Sequence, residues 1–171
     1  MIILTKALGT GVLSTALKAK MLEQKYLNHM LKNMMSLNHK ASQIALLFDV
    51  HAMSDVSGFG LLGHLKEMLN ETISFEVFKN SIPFLEGVQE YFDMGLIPAG
   101  AYKNLEFMQE SHCYLSDEEL LLCDPQTSGG LLMAINENKS LECLRYLEDE
   151  NIQAKIIAKA TVKQEKDFIF Y

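Results

Sequence analysis

The stretch "SDVSGFGLLGH", residues 54–64, decides how this chain is interpreted. It places one acid, Asp55, directly ahead of three glycines, Gly58, Gly60 and Gly63, with an apolar run beginning between them. The N-terminus of a helix exposes unpaired N–H groups that attract anions, and glycine lets the backbone approach a phosphate. A neighbouring carboxylate is a ligand that Mg²⁺ accepts. The pattern alone favours a simpler role, a capped helix start with glycines that ease packing.

Composition bounds the class of protein. The chain has 171 residues, 49% of them hydrophobic and 22% charged, which predicts one soluble domain over residues 1–171. The net charge of −7 disfavours a nucleic-acid partner. No apolar segment is long enough to span a bilayer, and the start resembles no signal peptide, so no membrane partner is expected. Three separated cysteines without a C-x-x-C pair predict reduced thiols in the cytoplasm: Cys113, Cys123 and Cys143.

Hydrophobic periodicity predicts an α+β fold, since helices and strands are mixed without strict alternation. Strands are predicted at residues 1–5, 72–78, 131–135, 154–162 and 167–171, and residues 49–55 are a strand or a short connection. Helices are predicted at residues 9–20, 22–35, 39–49, 58–69, 83–95, 117–123 and 139–150, with Asn38 capping the third. Residues 96–115 lack a clear period and predict an irregular loop.

Two further glycine-containing segments are candidate ligand loops. In "TKALGTG", residues 5–11, the lysine precedes the glycines, so the segment is no P-loop and a tight turn is favoured. "DPQTSGG", residues 124–130, carries more polar side chains than a turn needs. Asp124, Gln126, Thr127 and Ser128 either bind a ligand or satisfy the backbone of a tight loop, and the pattern leaves both open. The five histidines show no metal-ligand spacing.

Three motifs together resemble the selenophosphate synthetase (selenide, water dikinase) family. They are "ILTKALGTGVL", "HAMSDVSGFGLLGHLKEM" and "DPQTSGGLL", in this order, with a "PAGAYKN" segment between the last two. The resemblance covers residues 2 to about 160 and corresponds to the C-terminal half of that family. It implies a mixed sheet packed with helices, as in the C-terminal domain of aminoimidazole ribonucleotide synthetase. Ser57 stands where the family usually has Thr, which keeps the hydroxyl.

The resemblance implies a reaction in which ATP, selenide and water give selenophosphate, phosphate and AMP. Because phosphoryl transfer depends on positioning and charge neutralisation, the implied cofactor is Mg²⁺ and ATP is a substrate. Asp55 is implied as a metal ligand. Ser57, Gly58 and Gly60 are implied, more weakly, as phosphate neighbours, and Thr127, Ser128 and Gly129 are the weakest candidates for the same role.

The resemblance also implies a missing part, because nothing in this chain matches the family's N-terminal ATP-binding domain with its catalytic Cys and Lys. We therefore expect this domain to act with that N-terminal domain, in a full-length homodimer, and to be inactive alone, with no catalytic residue of its own. Two alternatives stay open. The chain is a non-catalytic structural or association module, or it belongs to a superfamily relative that uses ATP on another substrate.

Overall fold

The computed structural model describes residues 1–110 and 115–171. Two short 3₁₀ helices lie at Lys79–Ser81 and Asp117–Cys123. The strands are β1 (Ile2–Leu4), β2 (Val50–Asp55), β3 (Ile73–Val77), β4 (Leu131–Ile135), β5 (Lys155–Val162) and β6 (Phe168–Phe170). The helices are α1 (Thr10–Lys18), α2 (Gln24–Met35), α3 (His39–Ala45), α4 (Gly60–Glu67), α5 (Val88–Asp93), α6 (Ala99–Glu110) and α7 (Glu137–Asp149).

The six strands form one mixed sheet in the order β2-β4-β1-β5-β3-β6. All neighbouring pairs are antiparallel except β3 and β6, which are parallel. The central strands β1 and β4 come from opposite ends of the chain, with Ile3 opposite Met133. This arrangement confirms the predicted α+β class with a mixed sheet and helices.

Helices cover both faces of the sheet, so the central strands are buried on both sides. Ile2 and Leu4 of β1 point into a cluster with α4 and α6, whereas Ile3 points into a second cluster with α3 and α7. Because successive side chains of a strand alternate between faces, each central strand must be apolar throughout. That requirement explains the unbroken apolar run "LLMAI" of β4.

A third cluster lies beside the sheet, where α1, α2 and α5 meet. Val12 and Leu13 of α1 are completely buried there against Val88 of α5. The rings of Tyr26 and Tyr91 meet edge to face, with centroids 5.8 Å apart, an arrangement that aromatic pairs favour. The cluster fixes the direction of α1, whose N-terminus matters below.

The prediction of an irregular loop over residues 96–115 is wrong for most of its length. Residues Ala99–Glu110 form α6, and Ala101, Leu105 and Met108 bury its inner face. Gly100 and the polar residues around it are typical of a turn in sequence. Burial of the apolar face of α6 in the core nevertheless stabilises the helix by more than its low helix propensity costs. Residues 111–114, which include Cys113 and His112, lie outside the described residues.

Two other local predictions are corrected. The helix predicted at residues 83–95 is helical only over Val88–Asp93, because Gly87 has φ +85° and the residues before it run extended beside Leu8. Asn38 precedes α3 but does not cap it. Its side-chain amide donates instead to the carbonyl of Gly129, 2.9 Å away.

Two predictions about helix ends are confirmed. Gly95, with φ +79°, follows α5 and ends it. Ser116 and Glu119 form the capping box expected from their spacing, although the helix they start is 3₁₀ rather than α. Cys123 and Cys143 are buried and belong to no disulfide, and burial raises the pKa of Cys143 to about 11. Among the helices that the structure describes, none has the length and apolar character needed to cross a membrane.

Candidate functional site

Asp55 is the last residue of β2, an edge strand of the sheet, and its side chain is exposed. Its backbone pairs with Leu131 of β4, which fixes its position. Within the described ranges, its carboxylate has no hydrogen bond or ion pair, and no group of three potential metal ligands occurs. Asp55 is thus available as one hard oxygen ligand for Mg²⁺, which needs several. The residues present fit part of a metal site, whose remaining ligands would come from elsewhere.

Ser57 follows at the turn between β2 and α4, where His64 binds it twice. The backbone N–H of Ser57 donates to Nε2 of His64 at 3.0 Å, and the hydroxyl lies at the same distance. Nδ1 of His64 lies 2.9 Å from a carboxylate oxygen of Glu67, and the histidine is only 5% exposed. Because Nε2 accepts the backbone N–H, Nδ1 is the ring nitrogen that faces the Glu67 carboxylate. One polar contact network therefore holds the start of α4, and the Ser57 N–H is already used within the chain.

Gly58 and Gly60 have opposite environments. Gly58 is exposed, and a side chain there would meet nothing within 4 Å. Gly60 is buried with φ +70°, and a Cβ on it would lie 2.7 Å from the backbone of Cys123. Only glycine combines this conformation with such a close approach. Gly60 is thus needed for packing, whereas Gly58 leaves the surface beside Asp55 open.

The segment at residues 124–130 lies directly beside this turn. The backbone N–H of Gln126 donates to the carbonyl of Ser57 at 3.0 Å, and the backbone N–H of Val56 donates to the carbonyl of Gly130 at 2.9 Å. A Cβ on Gly129 would lie 2.2 Å from the carbonyl oxygen of Val56. The structure therefore brings together two motifs that are separated by some seventy residues in the sequence.

The candidate ligand residues of this segment, Thr127, Ser128 and Gly129, differ in which of their polar groups already form hydrogen bonds within the chain. Thr127 is exposed, and its backbone N–H donates to the Thr10 hydroxyl at 2.9 Å. Ser128, with φ +54°, donates its hydroxyl to the carbonyl of Met34 at 2.7 Å. Gly129 accepts the hydrogen bond from Asn38 described above. The Thr127 hydroxyl is therefore more available to a ligand than that of Ser128.

The third motif meets the same segment through the N-terminus of α1. The side-chain oxygen of Gln126 accepts from the amides of Gly9 and Thr10 at 3.0 and 3.3 Å. Asp124 accepts from the amide of Gly11 at 3.1 Å and from the Gln126 side chain at 2.7 Å. The anion-attracting end of α1 is thus filled by the chain's own side chains, in keeping with the tight turn favoured for residues 5–11.

The sequence singled out Asp124 and Gln126 as polar residues that either bind a ligand or satisfy loop backbone, but it did not predict that they cap α1. Both side chains are buried, and one carboxyl oxygen of Asp124 has no hydrogen-bond partner among the described residues. Burial raises the pKa of Asp124 to about 7, against the opposing effect of hydrogen bonds from Gln126, Gly11 and Val12. Nothing in the local pattern predicts the contact, because the helix it caps begins more than a hundred positions earlier.

Two cavities, of about 420 and 350 Å³, lie elsewhere on the domain, and Asp55 lines neither. The larger one is bordered by Lys6 and by residues of α2. Because Asp55 is exposed, it lies on an open surface of the domain, which we call the wall. A wall of this kind can bind a ligand tightly only if a second surface faces it.

Solved structures of other proteins have the same fold as this chain. Escherichia coli HypE, a hydrogenase maturation protein, superposes with a TM-score of 0.68 at 15% identity, covering 99% of this chain and 45% of that chain. Thiamine-monophosphate kinase from Stenotrophomonas maltophilia superposes with a TM-score of 0.54 at 14% identity, covering 99% of this chain and 49% of that chain. At such low identity these likenesses show the fold alone.

Comparison with sequences places the family. Selenide, water dikinase from Campylobacter jejuni (strain RM1221) is 74% identical over 168 residues, which cover 98% of this chain and 49% of that protein. The enzyme of that name from Carboxydothermus hydrogenoformans is 39% identical over 164 residues, covering 94% of this chain and 48% of the other. The chain thus spans about half the length of these curated relatives. The model of the family "AIR synthase related protein, C-terminal domain" matches residues 1–170. The chain belongs to this family, as a C-terminal domain of the selenophosphate synthetase type.

Proposed function

We propose that this chain is the C-terminal half of an ATP-dependent dikinase that makes selenophosphate. In the overall reaction, ATP, selenide and water yield selenophosphate, phosphate and AMP, so both phosphoanhydride bonds of ATP are broken. The choice of selenide as acceptor rests on the names of the relatives and on the three motifs. ATP as the substrate is further supported by one structural neighbour, a HypE protein solved in complex with ATP, which superposes with a TM-score of 0.62 at 15% identity.

One observation carries the proposal: Asp55 is exposed and uncommitted at the point where all three motifs meet. The Asp55 carboxylate forms no hydrogen bond or ion pair with any described residue, so it does not stabilise the fold through such a contact. The backbone that follows Asp55 is fixed by two hydrogen bonds. The backbone N–H of Gln126 donates to the carbonyl of Ser57, and the backbone N–H of Val56 donates to the carbonyl of Gly130. A rigid support that presents a free ligand is what a binding site requires.

Asp55 is proposed as one ligand of Mg²⁺. When bound, the ion would neutralise the negative charge of the phosphate groups in phosphoryl transfer. The other carboxylates would come from the N-terminal domain, which is the main partner proposed for this wall. The task of this chain is then to hold Asp55 at a fixed position and to close one side of the site.

The other candidate site residues have different roles in this proposal, according to their exposure and their existing hydrogen bonds. Gly58 and Thr127 are exposed and would contact the phosphates. Gly60 and Gly129 shape the backbone behind that surface. The hydroxyls of Ser57 and Ser128 already have partners within the chain. A phosphate contact from either serine therefore has to share its oxygen with the partner that it already has. We further propose a homodimeric full-length protein in the cytoplasm, consistent with the absence of a disulfide at Cys123 and Cys143.

The decisive experiment replaces Asp55 by Asn in the full-length protein. We expect formation of AMP and selenophosphate, followed by ³¹P NMR, to fall by about a hundredfold or more, with a changed Mg²⁺ dependence. Asp49→Asn is the matched control, because Asp49 is an exposed acid immediately before the same strand. Full activity with unchanged Mg²⁺ dependence in Asp55→Asn contradicts the ligand role.

A further inference from the structure

The larger cavity, of about 420 Å³, lies on a part of the domain that the proposed function does not use. It is bordered by the connection from β1 to α1, the C-terminal part of α2, the segment before α5 and the connection from α7 to β5. Its volume lies in the range of sites for small molecules. Four separate segments of the chain therefore enclose one space that has no assigned occupant.

The cavity concentrates positive charge in an acidic chain. Lys6, Lys32 and Lys155 line it, although the chain carries a net charge of −7. The acid that lines it, Glu86, pairs with His29 at 3.3 Å. Lys32 and Lys155 have no ion pair in the described part of the chain. The three lysines come from three different segments of the chain, and the fold brings them to one cavity.

Lys6 is the most informative of the three, because its residue is only 7% exposed. Its ammonium donates to the carbonyl oxygens of Ser36 at 2.5 Å and Ser128 at 2.9 Å. Both acceptors are neutral, and no described carboxylate balances the charge. Burial of an ammonium without a counter-charge is costly, and burial lowers the pKa of Lys6. Since an ammonium has three donors, one remains for a further acceptor.

We propose that this cavity binds a small phosphate-bearing molecule, whose negative oxygens are held by Lys6, Lys32 and Lys155. A phosphate group suits the arrangement because it offers several charged oxygens to donors from different segments of the chain. Lys6 reaches it at the buried end, and the two exposed lysines reach it from the open side. The proposal goes beyond the dikinase proposal and does not depend on it, because none of the residues proposed to bind Mg²⁺ or the nucleotide lines this cavity.

The test uses the 171-residue chain with inorganic phosphate and with pyrophosphate, each titrated at constant ionic strength in calorimetry and thermal unfolding. We expect saturable binding and a rise in the melting temperature. The double variant Lys32→Gln/Lys155→Gln should bind about tenfold or more weakly. Lys103→Gln, which removes an exposed lysine of α6 that does not line the cavity, should bind as the parent chain does.

A second readout locates the ligand without relying on the fold of a Lys6 variant. Phosphate should shift the backbone amide resonances of Asn33 and Gln153, which line the cavity from α2 and from the connection between α7 and β5. Absence of saturable binding overturns the proposal. Equal binding by the double variant and the parent chain, or resonance shifts confined to other regions, shows that the anion binds elsewhere and overturns it as well.

Discussion

At the scale of single residues, Gly58 and Gly60 show how one residue type serves two tasks two positions apart. Gly60 has a left-handed backbone conformation and lies against the backbone of Cys123, which cannot move aside cheaply. Gly58 is exposed and unconstrained by its surroundings. A glycine-rich motif therefore contains both a packing position and an open position.

We expect Gly60→Ala to lower the free energy of unfolding by about 2 kcal/mol or more, since it adds a clash to a strained backbone. Gly58→Ala should change it by less than about 0.5 kcal/mol, as an exposed substitution without contacts. Urea unfolding of the two variants checks this difference. Equal destabilisation by both would show that Gly60 is not the packing position. Loss of activity in a stable full-length Gly58→Ala protein would support a ligand contact there.

Asp124 gives a prediction for pH. Its pKa in the folded chain is raised to about 7 from an ordinary value of 3.8, so the folded state holds this proton more tightly than the unfolded state. The stabilising contribution is complete below the ordinary pKa and is lost as the pH rises through about 7. A shift of this size corresponds to roughly 4 kcal/mol.

Asp124→Asn imitates the protonated carboxyl and should remove this part of the pH dependence. We expect the stability difference between variant and parent to move in favour of the variant from about pH 4 to about pH 8, as measured by urea unfolding at each pH. Asp149→Asn, an exposed acid at the end of α7, serves as the control and should show no such trend. A constant difference for Asp124→Asn would mean that its carboxyl is ionised throughout.

At the scale of elements, the start of α4 depends on a side chain from its own second turn. His64 accepts the Ser57 N–H and contacts the Ser57 hydroxyl, so a buried ring takes the place of a side-chain cap. Phe59, the residue directly before the helix, has no polar side-chain atom that could cap it. The contact network ties the residues next to Asp55 to the body of the helix.

His64→Ala should leave the Ser57 N–H without its partner and create a small cavity. We expect a loss of about 1–3 kcal/mol in the free energy of unfolding and faster hydrogen exchange of the Ser57 amide. His39→Ala, at an exposed histidine at the start of α3, should leave both unchanged. Slow exchange at Ser57 in His64→Ala would show that another group protects this amide.

Much of the fold could be predicted where the local pattern reflects burial on a regular element. The run "LLMAI" and the periodicity that follows Gly60 both predict their elements, because each reports a face in contact with the core. The helix α6 could not be predicted, since its inner face carries small and widely spaced apolar residues beside turn-like ones. The motif also drew attention to Asp55, which is exposed at the end of β2, and its role as a metal ligand stays a prediction. The buried contacts of Asp124 and Gln126 could not be predicted, because they depend on the packing of distant segments.

At the scale of the whole molecule, the proposed site is one wall that needs a facing surface. We expect the 171-residue chain alone to form no AMP or selenophosphate from Mg²⁺, ATP and selenide, because one carboxylate does not hold Mg²⁺. The full-length protein under the same conditions is the positive control for ³¹P NMR. Selenide-dependent formation of AMP by the short chain would contradict the division of the site between two domains.

The position of residues 124–130 between the first and second motifs has a consequence for the order of folding. The amide of Leu131 donates to the Thr5 hydroxyl across 126 positions of sequence, and Gln126 reaches Gly9 across 117. Contacts this distant close large loops, which slows their formation. During synthesis the motif around Asp55 leaves the ribosome well before the strand that supports it. The wall therefore forms late in folding, and the surface around Asp55 is complete only after residues 124–131 have met the segment at residues 5–11.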